Sequence, residues 1–197
     1  MTTYVSVAYE DQLTFAVVQK LFSLRKDLSI GENIHCNGQG KIKKRILSYN
    51  LMAKNGKPAF VVTDLDQKEC PATLISEWLG DVPVSENLLF RVAVREVESW
   101  VLADISSITR FLGVGKKLIP ENTDTLPDPK AFLIQLAKKS KKRDIKGIIP
   151  RNESASIGLD YNHQLCRFVQ EHWRIENAIL HSPSLKRSVE RLKNWNL

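Results

Sequence analysis

The chain has 197 residues, of which 43% are hydrophobic and 26% charged, with a formal net charge of +7. That apolar fraction excludes a disordered polyelectrolyte and permits one domain of ordinary size, or a domain with a helical cap. The positive balance suits a polyanionic partner such as nucleic acid.

The N-terminal stretch "MTTYVSVAYEDQ" has neither the basic region nor the long apolar run of a signal peptide, and no apolar stretch is long enough to cross a membrane. Cys36, Cys70 and Cys166 form no close pair, which gives neither a zinc spacing nor a disulfide framework. A reducing compartment, the cytoplasm, is the expected location.

In chain order, Val5 to Tyr9 reads as a buried strand. Asp11 to Leu24 carries apolar residues at helical spacing: Leu13, Ala16, Val17, Val18, Leu21 and Phe22. A weaker strand, Ser29 to Cys36, leads to the turn "NGQGK" and a helix through about Lys54. "AFVVTD" is the most strand-like segment. A helix over Ala72 to Leu79, a strand over Leu88 to Val94 and a helix from about Val97 follow. Alternating strands and helices predict an α/β fold with a mostly parallel sheet covered on both faces.

From Ile105 onward the pattern is mainly helices and loops. Asp128-Pro129 marks a helix start. Lys138 to Lys146 is a basic run, and "IIPRNESASIGLDYN" reads as loop. Two amphipathic helices are expected near Gln164 to Glu171 and Ser184 to Trp195. The expected organisation is an α/β core over 1–104 and a helical extension over 105–197 packed on it. Trp78, Trp100, Trp173 and Trp195 read as core or interface residues. His35, His163, His172 and His181 are scattered, without metal spacing.

Ligand sites in parallel sheets lie beyond the carboxyl ends of strands. Three groups of acids fall there: Glu10, the pair Asp64 and Asp66, and the pair Glu96 and Glu98. On extended backbone each pair would point one way, since side chains alternate with period two. Clustered carboxylates repel unless a cation sits among them, and hard oxygen ligands select Mg²⁺ or Mn²⁺. Each acid also has a plainer reading. A strand-end Asp caps turns, Glu10 suits the first turn of a helix, and Glu98 could pair with Arg95 or Arg91.

These residues carry a resemblance. "VSVAYEDQLTFAVVQKLF" resembles the first motif of TOPRIM domains, a strand, a glutamate and a helix. "FVVTDLD" resembles their second, an Asp-x-Asp at a strand end. "VREVESWVLAD", Val94 to Asp104, resembles a segment of a bacterial TOPRIM-like family of unknown function, akin to the TOPRIM nuclease part of overcoming-lysogenization-defect (OLD) proteins. "IGLDYN" and "SPSLKRSVERL" resemble that family's tail. The resemblance implies a Rossmann-like TOPRIM core and a metal-dependent nuclease hydrolysing phosphodiesters in nucleic acid, DNA in preference to RNA. It also implies a role in phage defence beside a separately encoded ATPase partner.

By position, Glu10 would be the TOPRIM glutamate, a metal ligand or general acid/base. Asp64 and Asp66 would be metal ligands, and Glu96 and Glu98 would complete the site, with Glu10, Asp64, Asp66 and Glu96 as its catalytic set. Where those domains place glycine after the first glutamate, this chain has Asp11. OLD nucleases also use a late lysine, and the cations offered for it here on electrostatic grounds alone are Lys142, Lys146 and Arg151. Lys41, in the glycine-bearing turn, and Lys141, Lys142, Lys146 and Arg151 are the candidate phosphate contacts.

Two alternatives stand beside the nuclease. One is a non-catalytic binding subunit with a vestigial metal site. The other is a haloacid-dehalogenase-like phosphatase, whose Asp-x-Asp motif "VVTDLDQK" imitates, although Lys68 stands where that family wants Thr or Val. Oligomerisation is compatible with either.

Overall fold

The computed structural model describes residues 2–152 and 154–197. Met1 and Glu153, the latter inside the segment expected as loop, lie outside the described residues. Strands β1 (Thr3–Tyr9), β2 (Leu28–His35), β3 (Ala59–Asp64) and β4 (Leu88–Ala93) alternate with helices α1 (Gln12–Phe22), α2 (Gln39–Lys54) and α3 (Pro71–Leu79). The remaining helices are α4 (Val97–Ala103), α5 (Ile105–Leu112), α6 (Pro129–Lys138), α7 (Tyr161–Glu171), α8 (Ile175–Ala178) and α9 (Pro183–Lys193). Short 3₁₀ turns at Lys116–Leu118, Thr123–Thr125 and Asp144–Ile148 join some of them. The protein is thus α/β with a helical C-terminal part, and among the described residues no helix is long and apolar enough to cross a membrane.

The helix starts follow local chemistry. Asp11 accepts from the Thr14 amide at 2.8 Å, Asp128 from Ala131 at 2.7 Å and Ser182 from Leu185 at 3.2 Å. Each satisfies an otherwise orphaned first-turn N–H, and Pro129 and Pro183 occupy first positions that need no donor.

All strand pairings are parallel, in the order β2-β1-β3-β4. Period-two alternation divides the side chains. Val5, Val7, Phe60, Val62 and Leu89 face the core shared with α1, α4 and the C-terminal helices. Ala8, Val61, Phe90 and Val92 face α2 and α3. The larger core is continuous from Val5 to Trp195 and includes Trp100, Phe168 and Trp173, all fully buried.

The pairing of β1 with β2 is irregular. Val5 pairs with Ile30 and Val7 with Asn33, so β2 spends one extra residue at Gly31 and Glu32. The chain moves outward in one direction from β1 to β2, and in the other from β3 to β4. That reversal makes a crevice beyond the carboxyl ends of β1 and β3, where open α/β sheets bind ligands.

The strand ends differ from the extended backbone expected for the two acidic pairs. Asp66 has φ +50 and Arg95 φ +56, so the chain turns at both positions. Asp64 and Asp66 are therefore not related by strand alternation. Helix α4 begins at Val97, which leaves Glu96 at the cap and Glu98 inside the first turn. That start has a cause in β3: Asp64 Oδ1 accepts from the Val97 amide at 2.9 Å, capping α4 from a neighbouring strand.

Candidate metal centre

Glu10 follows β1 directly and reaches across to β3. Its Oε1 accepts from the Thr63 hydroxyl and, at 2.8 Å, from the Asp64 amide. Burial raises its pKa, those two donors oppose the rise, and the charges of Asp66 and Asp11 add to it. Asp11, not Glu10, caps α1.

Asp64 ends β3 and is 9% exposed. Its carboxyl is held well above the usual carboxylate range, first by burial, then by the negative charges of Glu98, Glu10 and Asp11, with Lys130 opposing. Gln39 Nε2 donates to its backbone carbonyl at 2.8 Å, tying α2 to the same strand end.

Asp66 stands exposed in a left-handed conformation that aspartate tolerates better than most residues. Its amide donates to the Arg95 carbonyl at 2.9 Å, and the Arg95 guanidinium donates to the carbonyls of Asp66 and Lys68, each at 2.9 Å. Partial burial raises its pKa and Lys130 opposes.

Glu98 is 1% exposed. It pairs with neither Arg95 nor Arg91. Its Oε1 accepts from the Tyr161 hydroxyl at 2.7 Å and lies 3.7 Å from Lys130 Nζ. Its Oε2 is buried without a partner. Burial pushes this carboxyl up to about 7, against the pull of Lys130 and the Tyr161 hydrogen bond, with Glu96 and Asp11 adding to the rise.

Glu96 faces elsewhere. Its Oε2 accepts from the Lys130 amide at 2.8 Å and its Oε1 lies 3.4 Å from Lys130 Nζ. It lines a depression of about 330 Å³ with Asp128, Ala131, Pro150 and Ser156. Glu10, Asp11, Asp64 and Asp66 line a different one, of about 490 Å³, with His35 and Asn162. Lys130 lines both. Burial lowers its pKa, but the charges of Glu98, Glu96 and Asp64 outweigh that and hold the ammonium above its ordinary value.

The structure thus brings Glu10, Asp64 and Asp66 to one depression, with Glu98 buried in electrostatic reach of Asp64, and turns Glu96 toward α6. None of the five candidate phosphate contacts joins them. Lys41 and Lys141 are exposed on α2 and after α6. Lys142 Nζ donates to the Arg110 and Phe111 carbonyls at the end of α5. Lys146 and Arg151 line a third depression, of about 490 Å³, with Arg143, Asp144 and Asp160. The glycine-bearing turn does reach the acids, through Asn37 and Gly38 on the rim.

Lys130, Tyr161, Asn162 and His35 are the site residues that sequence reasoning missed. His35 stacks on Tyr9 with ring centroids 5.4 Å apart, and Tyr9 stacks on Phe15 at 4.5 Å. The one signal for Lys130 is its place just after Asp128-Pro129, at a helix start that must dock somewhere.

No family model, curated protein or solved structure matches the chain.

Among the described residues no group of three His, Cys, Asp or Glu side chains stands close enough to hold a metal ion by itself. Mg²⁺ does not require one. It keeps several waters and is held through one or two carboxylates together with substrate phosphates. The all-oxygen donor set, the mutual repulsion on Asp64 and the unpartnered Oε2 of Glu98 fit such an ion.

Proposed function

We propose that this chain is a metal-dependent nuclease of the TOPRIM kind, hydrolysing phosphodiester bonds in nucleic acid, DNA in preference to RNA. The observation that carries the reading is the convergence of Glu10, Asp64, Asp66 and Glu98 at the sheet's switch point, with Lys130 as the cation among them. Four carboxylates against one ammonium leave a deficit of positive charge that a divalent cation offsets.

One or two of Glu10, Asp64 and Asp66, together with waters and substrate phosphate, would hold Mg²⁺ or Mn²⁺, with Glu98 behind them. Bound there, such an ion supplies an acidified water and neutralises charge on the phosphate. The chain's own residues would do the rest. The Thr63 hydroxyl and Asp64 amide fix one oxygen of Glu10 and leave Oε2 outside those bonds to accept a proton from the attacking water. The Val97 amide fixes Asp64 in the same way. Lys130 presents a permanent positive charge to the phosphate at the wall between the two depressions. Glu96, bonded to both the amide and the ammonium of Lys130, would position it.

The wider setting rests on the resemblance: a separately encoded ATPase as partner and a role in phage defence. Three free cysteines support a reducing compartment such as the cytoplasm.

Asp64→Asn tests the reading, because the amide keeps an oxygen for the Val97 N–H and loses only the charge. Wild type should bind Mn²⁺ in a calorimetric titration, gain several degrees in Tm and nick supercoiled plasmid. The variant should stay folded, lose the metal-induced gain and lose at least about 100-fold in cleavage. Equal Mn²⁺ stabilisation of both proteins overturns the metal site. Metal binding with no cleavage of DNA or RNA would favour the binding-subunit reading, and metal-dependent hydrolysis confined to phosphomonoesters the phosphatase.

A further inference from the structure

Toward the C-terminal end of α7, away from the acids near its start, lies a cleft of about 340 Å³ whose lining includes Arg110, Phe111, Lys142, Asp144, Arg167 and Arg174. Four side chains that carry permanent positive charge meet one carboxylate there. Arg110 and Arg174 enter no salt bridge among the described residues. Arg167 lies 3.4 Å from Glu171. Like charges gathered in a concavity repel one another and focus the field outward, an arrangement that attracts anions.

Two features fix the cleft in place. Lys142 Nζ donates to the Arg110 carbonyl at 2.8 Å and the Phe111 carbonyl at 3.0 Å. Its aliphatic stem crosses Gly113, which ends α5 at φ +70, so closely that a Cβ there would come within 3.2 Å of it. The ammonium is therefore held by the end of α5 and does not sweep through solvent.

The cleft is also not isolated. Asp144 lines both it and the depression that holds Arg143, Lys146 and Arg151. A run of guanidinium and ammonium groups across two adjoining concavities matches a ligand with repeated anionic charge better than a single free phosphate.

We propose that this cleft is a second nucleic-acid contact, taking the phosphodiester backbone of a strand whose reacting bond lies at the acidic site. The placement relative to catalysis rests on the nuclease reading, while the anion site stands on the cleft alone. Helix α7 sets the spacing. Asn162 lines the acidic depression and His172 lines the cleft, and those ten residues span about 15 Å. That corresponds to roughly four or five base-pair steps of duplex.

The test is the affinity of the full chain for a fluorescein-labelled 20-base-pair DNA duplex, measured in EDTA over a KCl series. Leaving out metal separates this result from the fate of the metal centre. R110E/R174E should weaken binding at least about tenfold at 100 mM KCl and flatten the log–log salt slope by roughly two, one counterion release per lost phosphate contact. R110K/R174K keeps the charge and should keep the slope, and Lys186→Glu on α9 should leave both values unchanged. Circular dichroism checks that each variant is folded. Unchanged affinity and slope in folded R110E/R174E overturn the proposal, including the case in which the cleft serves an acidic protein instead. Equal loss in R110E/R174E and R110K/R174K also overturns it, since that pattern reports geometry and not charge.

Discussion

Glu98 is a carboxylic acid with a hydroxyl on one oxygen, nothing on the other and an ammonium 3.7 Å away. Its raised pKa has a consequence for stability. Between the ordinary value of 4.5 and about 7 the unfolded chain has lost this proton while the fold retains it. The unfolded state binds fewer protons in that window, so stability falls as pH rises through it. Asp64, raised by burial and by its acidic neighbours, adds a loss of the same sign that starts above 3.8. The Tm of metal-free protein should therefore drop between pH 5 and pH 7.5. Glu98→Gln should flatten much of that drop and gain on the order of 1–3 kcal/mol at pH 8, since each unit of pKa difference corresponds to about 1.4 kcal/mol. A pH-independent Tm in wild type, followed by differential scanning fluorimetry, would contradict this account. Glu10 and Asp64 were legible in the sequence because each sits where an apolar run ends. Glu98's burial was not, because its partner Tyr161 is 63 residues away and nothing local announces that contact. Lys130 escaped for the same reason, its carboxylate partner Glu96 being 34 residues distant.

Among the elements, the loop between Ile148 and Gly158 is clasped at its base by backbone hydrogen bonds. The Gly158 amide donates to the Ile148 carbonyl at 2.9 Å and the Asp160 amide to the Gly147 carbonyl at 3.0 Å. The two segments approach so closely that a Cβ at Gly158 would overlap the Gly147 carbonyl oxygen, which is backbone and cannot swing aside. At Gly147 the obstacle is the Asp160 side chain, which can. Gly158→Ala should therefore cost about 1–3 kcal/mol in urea unfolding and expose the loop to proteolysis, with Gly147→Ala the milder of the two. Reversed ranking would mean that the clasp does not hold the loop. Strands and the start of α6 were readable because alternation and an Asp-Pro cap are local signals, whereas α7, expected from Gln164, begins at Tyr161 without a side-chain cap to mark it. The start of α4 near Val97 was readable too, but its cap was not, because Asp64 supplies it from β3. The basic run from Lys138 to Lys146 does not act as one surface. Adjacent positions leaving α6 do not share a face, and Lys142 is spent on the end of α5.

At the scale of the whole molecule, the C-terminal helices close the core that the sheet opens. Asp104, at the expected boundary between 1–104 and 105–197, is fully buried and accepts from the Ser107 amide at 3.2 Å and the Arg174 amide at 2.8 Å. Trp195 reaches back to the sheet, donating to the Glu86 carbonyl at 2.9 Å and packing near Phe60. Arg25 binds the carbonyls of Leu192, Lys193 and Trp195. Trp195→Ala should therefore cost about 3 kcal/mol or more, and near- and far-UV circular dichroism should still report one transition. Two separated transitions would show instead that the sheet and the helical part unfold independently. The irregular pairing of β2 matters at this scale too, when many copies crowd together. Gly31, Glu32 and Asn33 stand exposed at one margin of the sheet, and the extra residue there leaves only Leu28 to Ile30 and Asn33 to His35 in regular register with β1. A fibril nucleus needs about six uninterrupted residues offering evenly spaced amides and carbonyls. Broken into two runs of three, this margin gives an incoming strand too short a template to zip onto, so amyloid growth from the β2 edge is disfavoured.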